Sequence, residues 1–165
     1  MSDPRKFDSE IIIDAHDRWI FRETEITQED ILKYFRANLH QNEKGVYIEN
    51  VFGELRENGY LTLNGYPCHI TKVISDNSEL KFYANDGKIF PFSTIAIYQT
   101  DNGNLIGINP IQDKIKYRFN WNAATDFAEF FVEEGEKSFL KVGNLHMEIP
   151  IYSETIEVPL PKDYI

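Results

Sequence analysis

Asn64-Gly65, Asp86-Gly87 and Asn102-Gly103 each interrupt a stretch of apolar or alternating residues. Such dipeptides favour the two-residue turns of β-hairpins, because both positions tolerate a positive φ that matches the twist of the flanking strands. The flanks are Tyr60–Leu63 with Tyr66–Val73, Leu80–Tyr83 with Lys88–Phe92, and Ile95–Gln99 with Leu105–Ile108. Ile11–Ile13 and Trp19–Phe21 form a further hairpin around Asp14-Ala15-His16-Asp17. Successive hairpins imply antiparallel sheets, and no strand–helix–strand unit repeats, which argues against a doubly wound nucleotide fold. Composition agrees: 12 Phe, 9 Tyr and 2 Trp among 165 residues favour strands with large buried areas.

Two segments read as helices. Thr27 is placed to cap the first, with Glu29 and Asp30 in its first turn and Ile31, Tyr34, Phe35 and Leu39 on one face. The second runs from Asn122 to Glu134 with a stripe of Ala124, Phe127, Ala128 and Phe131, and Gly135 supplies its stop. The expected class is therefore α+β: curved antiparallel sheets built from hairpins, under two amphipathic covering helices. Tyr60–Ile70 also aligns without gaps on Phe139–Ile149, with apolar positions and turn dipeptides coinciding. That echo suggests two related halves, about 1–76 and 77–165, inside a single domain spanning 1–165.

Charge narrows the partners. Asp and Glu number 27 against 17 Lys and Arg, a formal net charge of −10. A phosphate backbone or an anionic membrane surface needs local positive charge, so neither nucleic acid nor membrane is an expected partner. One cysteine, Cys68, excludes an intramolecular disulfide and cysteine-based zinc sites. Residues 1–10 lack the apolar core of a secretory signal, and no apolar run approaches the roughly 20 residues that span a bilayer. A cytoplasmic protein is expected, and no cofactor is implied.

The first third carries Ile11-Ile12-Ile13-Asp14, Asp17-Arg18-Trp19-Ile20-Phe21 and Glu25-Ile26-Thr27, then Ile31-Leu32, Tyr34-Phe35, Leu39 and Gly45-Val46-Tyr47. In these residues, and more weakly in Leu80–Gly87, the chain resembles a bacterial family, domain of unknown function 1285. The family's turn reads Asp-Gly-Arg-Trp, whereas His16-Asp17-Arg18-Trp19 has no glycine. The likeness covers the N-terminal half and fades after about residue 92. It implies an α+β body of repeated motifs with a signalling or ligand-binding role, and it brings no catalytic residues to transfer.

Chemistry-bearing residues each have an ordinary reading. Asp14, His16 and Asp17 place two carboxylates and an imidazole within four residues, as a metal site or an acid–base pair requires. They equally make a polar turn, where Asp and His tolerate unusual backbone angles. Cys68, His69 and His146 invite a nucleophile–base pair, but strand alternation separates them. Tyr66, Cys68 and Ile70 share the apolar face, with Pro67 and His69 opposite; Leu145, Met147 and Ile149 oppose His146 and Glu148. No Gly-x-Ser-x-Gly, glycine-rich phosphate loop or His-Glu-x-x-His occurs. The acids Glu133-Glu134-Gly135-Glu136 read as solvated charge at a helix end.

The segment Lys114–Trp121 is more informative. Lys114, Lys116 and Arg118 alternate with Ile115, Tyr117, Phe119 and Trp121, which gives a row of cations roughly 6.8 Å apart on a strand. Such a row suits a small anion or an acidic protein segment, or pairs with acids on neighbouring strands. Trp19 reads as a core anchor with Arg18 turned outward. In the tail, Pro150, Pro159 and Pro161 around Ile156–Val158 confine any strand to a sheet edge, docked on its own body or on a second copy.

The expected function is a non-catalytic ligand-binding or regulatory module, with Lys114, Lys116, Arg118 and Trp121 as its contacts. One alternative is a metal-dependent hydrolase using Asp14, His16 and Asp17. Another is a homo-oligomeric assembly protein joined through edge strands.

Overall fold

Ile11–Ile13 pair with Trp19–Phe21 in the register the hairpin requires, Ile11 opposite Phe21 and Ile13 opposite Trp19. The structure is a computed structural model that describes residues 3–153, 156–158 and 160–161. The first sheet contains β1 (Arg5–Ile13), β2 (Trp19–Phe21) and β3 (Thr24–Glu25). After α1 (Glu29–Ala37) come β4 (Leu39–Asn42), β5 (Gly45–Phe52) and β6 (Leu55–Leu63). Its order is β3-β2-β1-β6-β5-β4. Two antiparallel meanders thus meet at a central pair, β1 on β6, which is parallel.

The second sheet takes β7 (Cys68–Asp76), β8 (Glu79–Ala84), β9 (Ile89–Pro91), β10 (Ala96–Thr100), β11 (Leu105–Ile108) and β12 (Lys116–Phe119). Helix α2 (Trp121–Ala128) follows, then a three-stranded sheet of β13 (Phe131–Glu134), β14 (Lys137–Val142) and β15 (Leu145–Met147). Finally β16 (Ile151–Tyr152) joins β10 in parallel and closes the order β16-β10-β11-β12-β7-β8-β9. The α+β class is as expected, with mixed sheets and two helices. Two units divide the chain: described residues of 1–68, 112–115 and 156–165 form one, those of 69–111 and 116–155 the other.

The turns at Asp86-Gly87 and Asn102-Gly103 join β8 to β9 and β10 to β11 as hairpins. Asn64-Gly65 does not. Asn64 N–H donates to Ile13 O (2.8 Å), Tyr66 N–H donates to Asp17 Oδ1 (2.8 Å), and β7 then starts in a different sheet from β6. Gly65 serves close approach here, since a Cβ would lie 1.9 Å from the Asp14 carbonyl oxygen. Phe139–Ile149, by contrast, contains the true hairpin of β14 and β15. The two aligned segments are therefore not equivalent in structure.

Both helices differ from the expected spans. Gln28, not Thr27, occupies the N-cap of α1 and makes no side-chain cap bond, while Glu29 and Asp30 sit in the first turn as expected. Leu32 is buried, Ile31 and Tyr34 are exposed, and Leu39 has already entered β4. Helix α2 starts at Trp121 because the Asn120 side chain accepts from Ala123 N–H (2.8 Å). It stops at Ala128, and Phe131–Glu134 goes on as a strand paired to β14 through a turn at Gly135-Glu136. Gly135 (φ 70°) thus turns a hairpin instead of ending a helix. The buried side of α2 is Ala123 and Phe127.

In the tail, the paired strand is Ile151–Tyr152, while Val158 makes a single antiparallel bridge to Leu63. Pro159 lies outside the described residues. Among the described residues, no helix is long and apolar enough to cross a membrane.

Candidate functional site

Alternation along β5, β6 and β1 places Ile48, Gly59 and Phe7 on one face of the first sheet. Helix α1 adds Ile31 and Phe35, β2 adds Phe21, and Ile11 and Ile26 complete the apolar lining of an open groove of about 360 Å³. Its polar lining is Ser9, Gln28 and Asn50. Gly59 leaves the base bare: a Cβ there would approach the Phe7 ring and Ser9 Cβ to 3.2 Å. Phe21 is 39% exposed and Ile31 40%, so both stand at the mouth.

One wall is braced by Trp19, which is buried as expected. Its ring stacks on Phe35 (centroids 6.0 Å), and its Nε1–H donates to Pro67 O (3.2 Å). Arg36 Nε–H donates to the same carbonyl (3.2 Å), and the guanidinium lies 5.9 Å from the indole centroid. Pro67, expected to face outward with His69, is thereby buried.

The other wall contains a bulge. Asp8 pairs with Tyr60 and Ile11 with Leu61, so Ser9 and Glu10 are extra residues. Glu10 takes the left-handed conformation (φ 61°), a cost offset by its carboxylate, which accepts from Arg22 Nε (3.0 Å) and Nη2 (2.7 Å). Ser9 Oγ donates to Tyr60 O (2.6 Å) and accepts from Ile11 N–H (3.2 Å), so the polar atom beside the base is already satisfied.

The residues singled out from sequence lie elsewhere. Asp14 Oδ1 accepts from the N–H groups of His16 (3.0 Å) and Arg18 (2.9 Å), and Oδ2 accepts from Arg18 Nε (2.7 Å). Partial burial works to raise the Asp14 pKa, but these bonds and the Arg18 charge outweigh it and hold the carboxyl below its ordinary value. Asp17 has φ 65°, an angle aspartate tolerates, and its carboxylate receives Tyr66 N–H. His16 is exposed. Among the described residues, no three His, Cys, Asp or Glu side chains gather closely enough to hold a metal ion.

Alternation at the cation segment holds from Ile115 to Phe119: Ile115, Tyr117 and Phe119 are buried, Lys116 and Arg118 half-buried. Lys114 precedes β12, and its ammonium donates to Asn42 O (2.6 Å) while its N–H donates to Gln41 Oε1 (2.8 Å). Lys116 and Arg118 have interactions of their own. Trp121 leaves the stripe for the first turn of α2 and is 79% exposed. Cys68 is buried, His69 half-buried, and His146 sits 3.0 Å from a Glu134 carboxylate oxygen.

A second concavity, open and about 950 Å³, lies in the second unit. Its floor includes Phe127 and Phe131, and its rim carries Glu133, Glu136 and Glu148, the last 3.8 Å from Lys137 Nζ. It is wide and its carboxylates are exposed, so it lacks the apolar enclosure of the groove.

Sequence reasoning missed the groove. The available signal was the width of the apolar arc on α1, where Ile31, Leu32, Tyr34 and Phe35 are more than one sheet face can cover.

Comparison of this architecture with solved structures gives a definite result. A DUF1285 family protein from Silicibacter pomeroyi DSS-3 superposes with a TM-score of 0.59 over 85% of this chain and 81% of its own, at 14% identity. The fold is that of a DUF1285 family protein. A DUF1285 family protein from Shewanella baltica OS155 also matches, with a TM-score of 0.48, 12% identity and coverage of 67% of this chain and 84% of that one. No protein-family model and no curated protein matches the sequence. The DUF1285 likeness in sequence stops midway, whereas the likeness in fold extends over most of the chain.

Proposed function

We propose that the chain is a non-catalytic binding module that receives apolar groups in the groove of its first unit. The supporting observation is the lining: apolar side chains from four elements meet around an open space with no ionised group among the described residues that line it. Acid–base or metal chemistry needs charged or titratable groups aimed at the substrate, and the groove presents side chains suited to recognition instead. A regulatory or signalling role would then act through what the groove holds. A cytoplasmic setting accords with a single, buried cysteine.

A second reading, a small anion held by Lys116 and Arg118, is favoured by the exposed indole of Trp121, which offers a reporter and a stacking surface close by in sequence. One titration experiment addresses both. Nile red, a neutral apolar dye, is expected to brighten and shift to the blue with the wild type, and Ile31→Glu to weaken its uptake about tenfold, since a carboxylate at the mouth opposes apolar burial. Uptake unchanged in Ile31→Glu, with circular dichroism unaltered, would discard the groove. In the second arm, citrate should raise the melting temperature of the wild type but not of Lys116→Glu with Arg118→Glu; an equal rise in both removes the anion reading.

A further inference from the structure

We infer that the groove's occupant is the β5–β6 hairpin tip of a second copy of this chain. This rests on the groove reading above and names its partner. Phe52 and Leu55 are paired across the tip and are 61% and 66% exposed. Two large apolar side chains side by side at a hairpin end lose favourable burial in a monomer, and such patches mark contact surfaces.

Register puts tip and groove on the same face. Along the β5–β6 pairing, Ile48 opposes Gly59, Asn50 opposes Glu57 and Phe52 opposes Leu55, each pair two residues from the next. Side chains two residues apart share a face, so the groove base, a polar pair and the apolar tip follow one another at steps of about 7 Å. The polar pair is extended by Arg5, opposite Glu57 on β1, with Nη1 to Oε1 at 3.6 Å.

This order is self-complementary. A two-fold axis across the strands at Asn50–Glu57 lays each tip over the partner's Ile48 and Gly59. Concave meets convex, as an isologous interface requires. The groove supplies the hole because residue 59 has no side chain, and the tip supplies two knobs. At the axis, Arg5 of each copy faces the partner's Glu57, so the charges between the apolar ends are matched rather than buried alone. The arrangement uses a sheet face, not the edge-strand pairing expected from sequence.

Sedimentation velocity on the full chain, from about 1 to about 100 µM, tests the inference over the affinity range of modest interfaces. The wild type should pass from monomer to dimer mass across that range. Phe52→Ser with Leu55→Ser alters only exposed positions; it should stay monomeric throughout and take up more Nile red, because the groove is vacated. A wild type that stays monomeric, or a tip variant that still dimerises, overturns the inference. If the wild type is monomeric while Ile31→Glu still loses dye, only the second-copy partner falls. If dye uptake ignores Ile31, the groove itself falls, whatever the mass.

Discussion

The two helices are nearly the same length yet finish their packing differently. In the second unit, α2 buries Ala123 and Phe127 completely. Phe127 lies 5.7 Å from Phe82, 5.5 Å from Phe119 and 5.0 Å from Phe131, so one ring closes an aromatic cluster. In the first unit, α1 buries only Leu32, half-buries Phe35 against Trp19, and leaves Ile31 at the mouth of an open groove. The caps differ likewise: Asn120 bonds the first turn of α2, whereas Gln28 makes no such bond to α1. An aromatic residue on the inner face of a helix fills the space above the sheet; branched aliphatics turned sideways leave it open. Stability is concentrated where the rings interlock, and recognition is available where they do not.

Removing the closing ring gives the sharpest contrast. Phe127→Ala should cost about 3–5 kcal/mol in urea denaturation, through lost transfer energy and a cavity that the surrounding rings cannot collapse. A cost as small as that of a surface change would mean the second unit is packed no more fully than the first. Next in size is Tyr117→Phe. The Tyr117 hydroxyl donates to Oδ2 of buried Asp86 at 2.5 Å, and its loss should destabilise by about 1–3 kcal/mol with unchanged packing, read from the same urea midpoints.

The smallest effect belongs to the turn that supports the first sheet. Asp14→Asn should cost about 1 kcal/mol at neutral pH, since an amide keeps the shape but loses the charge-assisted bonds to Arg18. The folded Asp14 carboxyl sits below its ordinary value, so its stabilisation is complete above the unfolded pKa near about 4. It disappears as pH falls through the lower folded value. Wild type and variant should therefore converge in urea midpoint as the solution is acidified below about pH 4. A constant gap down to strong acid would show that the bonds, not the ionisation, distinguish them.

Several elements were legible because their causes are local. The Ile11–Phe21 hairpin, the turns at Asp86-Gly87 and Asn102-Gly103, and the inward alternation of Ile115, Tyr117 and Phe119 follow from neighbours in the chain. Misreadings had non-local causes. Asn64-Gly65 has the composition of a hairpin turn, but the β1–β2 turn claims its backbone, with Asp17 bonding Tyr66 and Gly65 fitted against Asp14. Phe131 extends the helical stripe of α2 on paper, yet β14 offers it a strand partner, Leu140, that pays better than another helical turn. The groove was invisible for a related reason: its residues come from β1, β2, α1, β5 and β6, and no spacing rule links Phe7 to Ile31.

By itself, the order of residues determined the α+β class, the parity of the strands and the burial of Trp19 and Cys68, because alternation and turn chemistry act over a few residues. Tertiary structure decided the parallel meeting of β1 and β6, the phase of α1 and the open space above Gly59. Those depend on which distant strand offers backbone donors and which side chains reach a shared volume, and pairings between remote segments are chosen only once the chain has closed on itself.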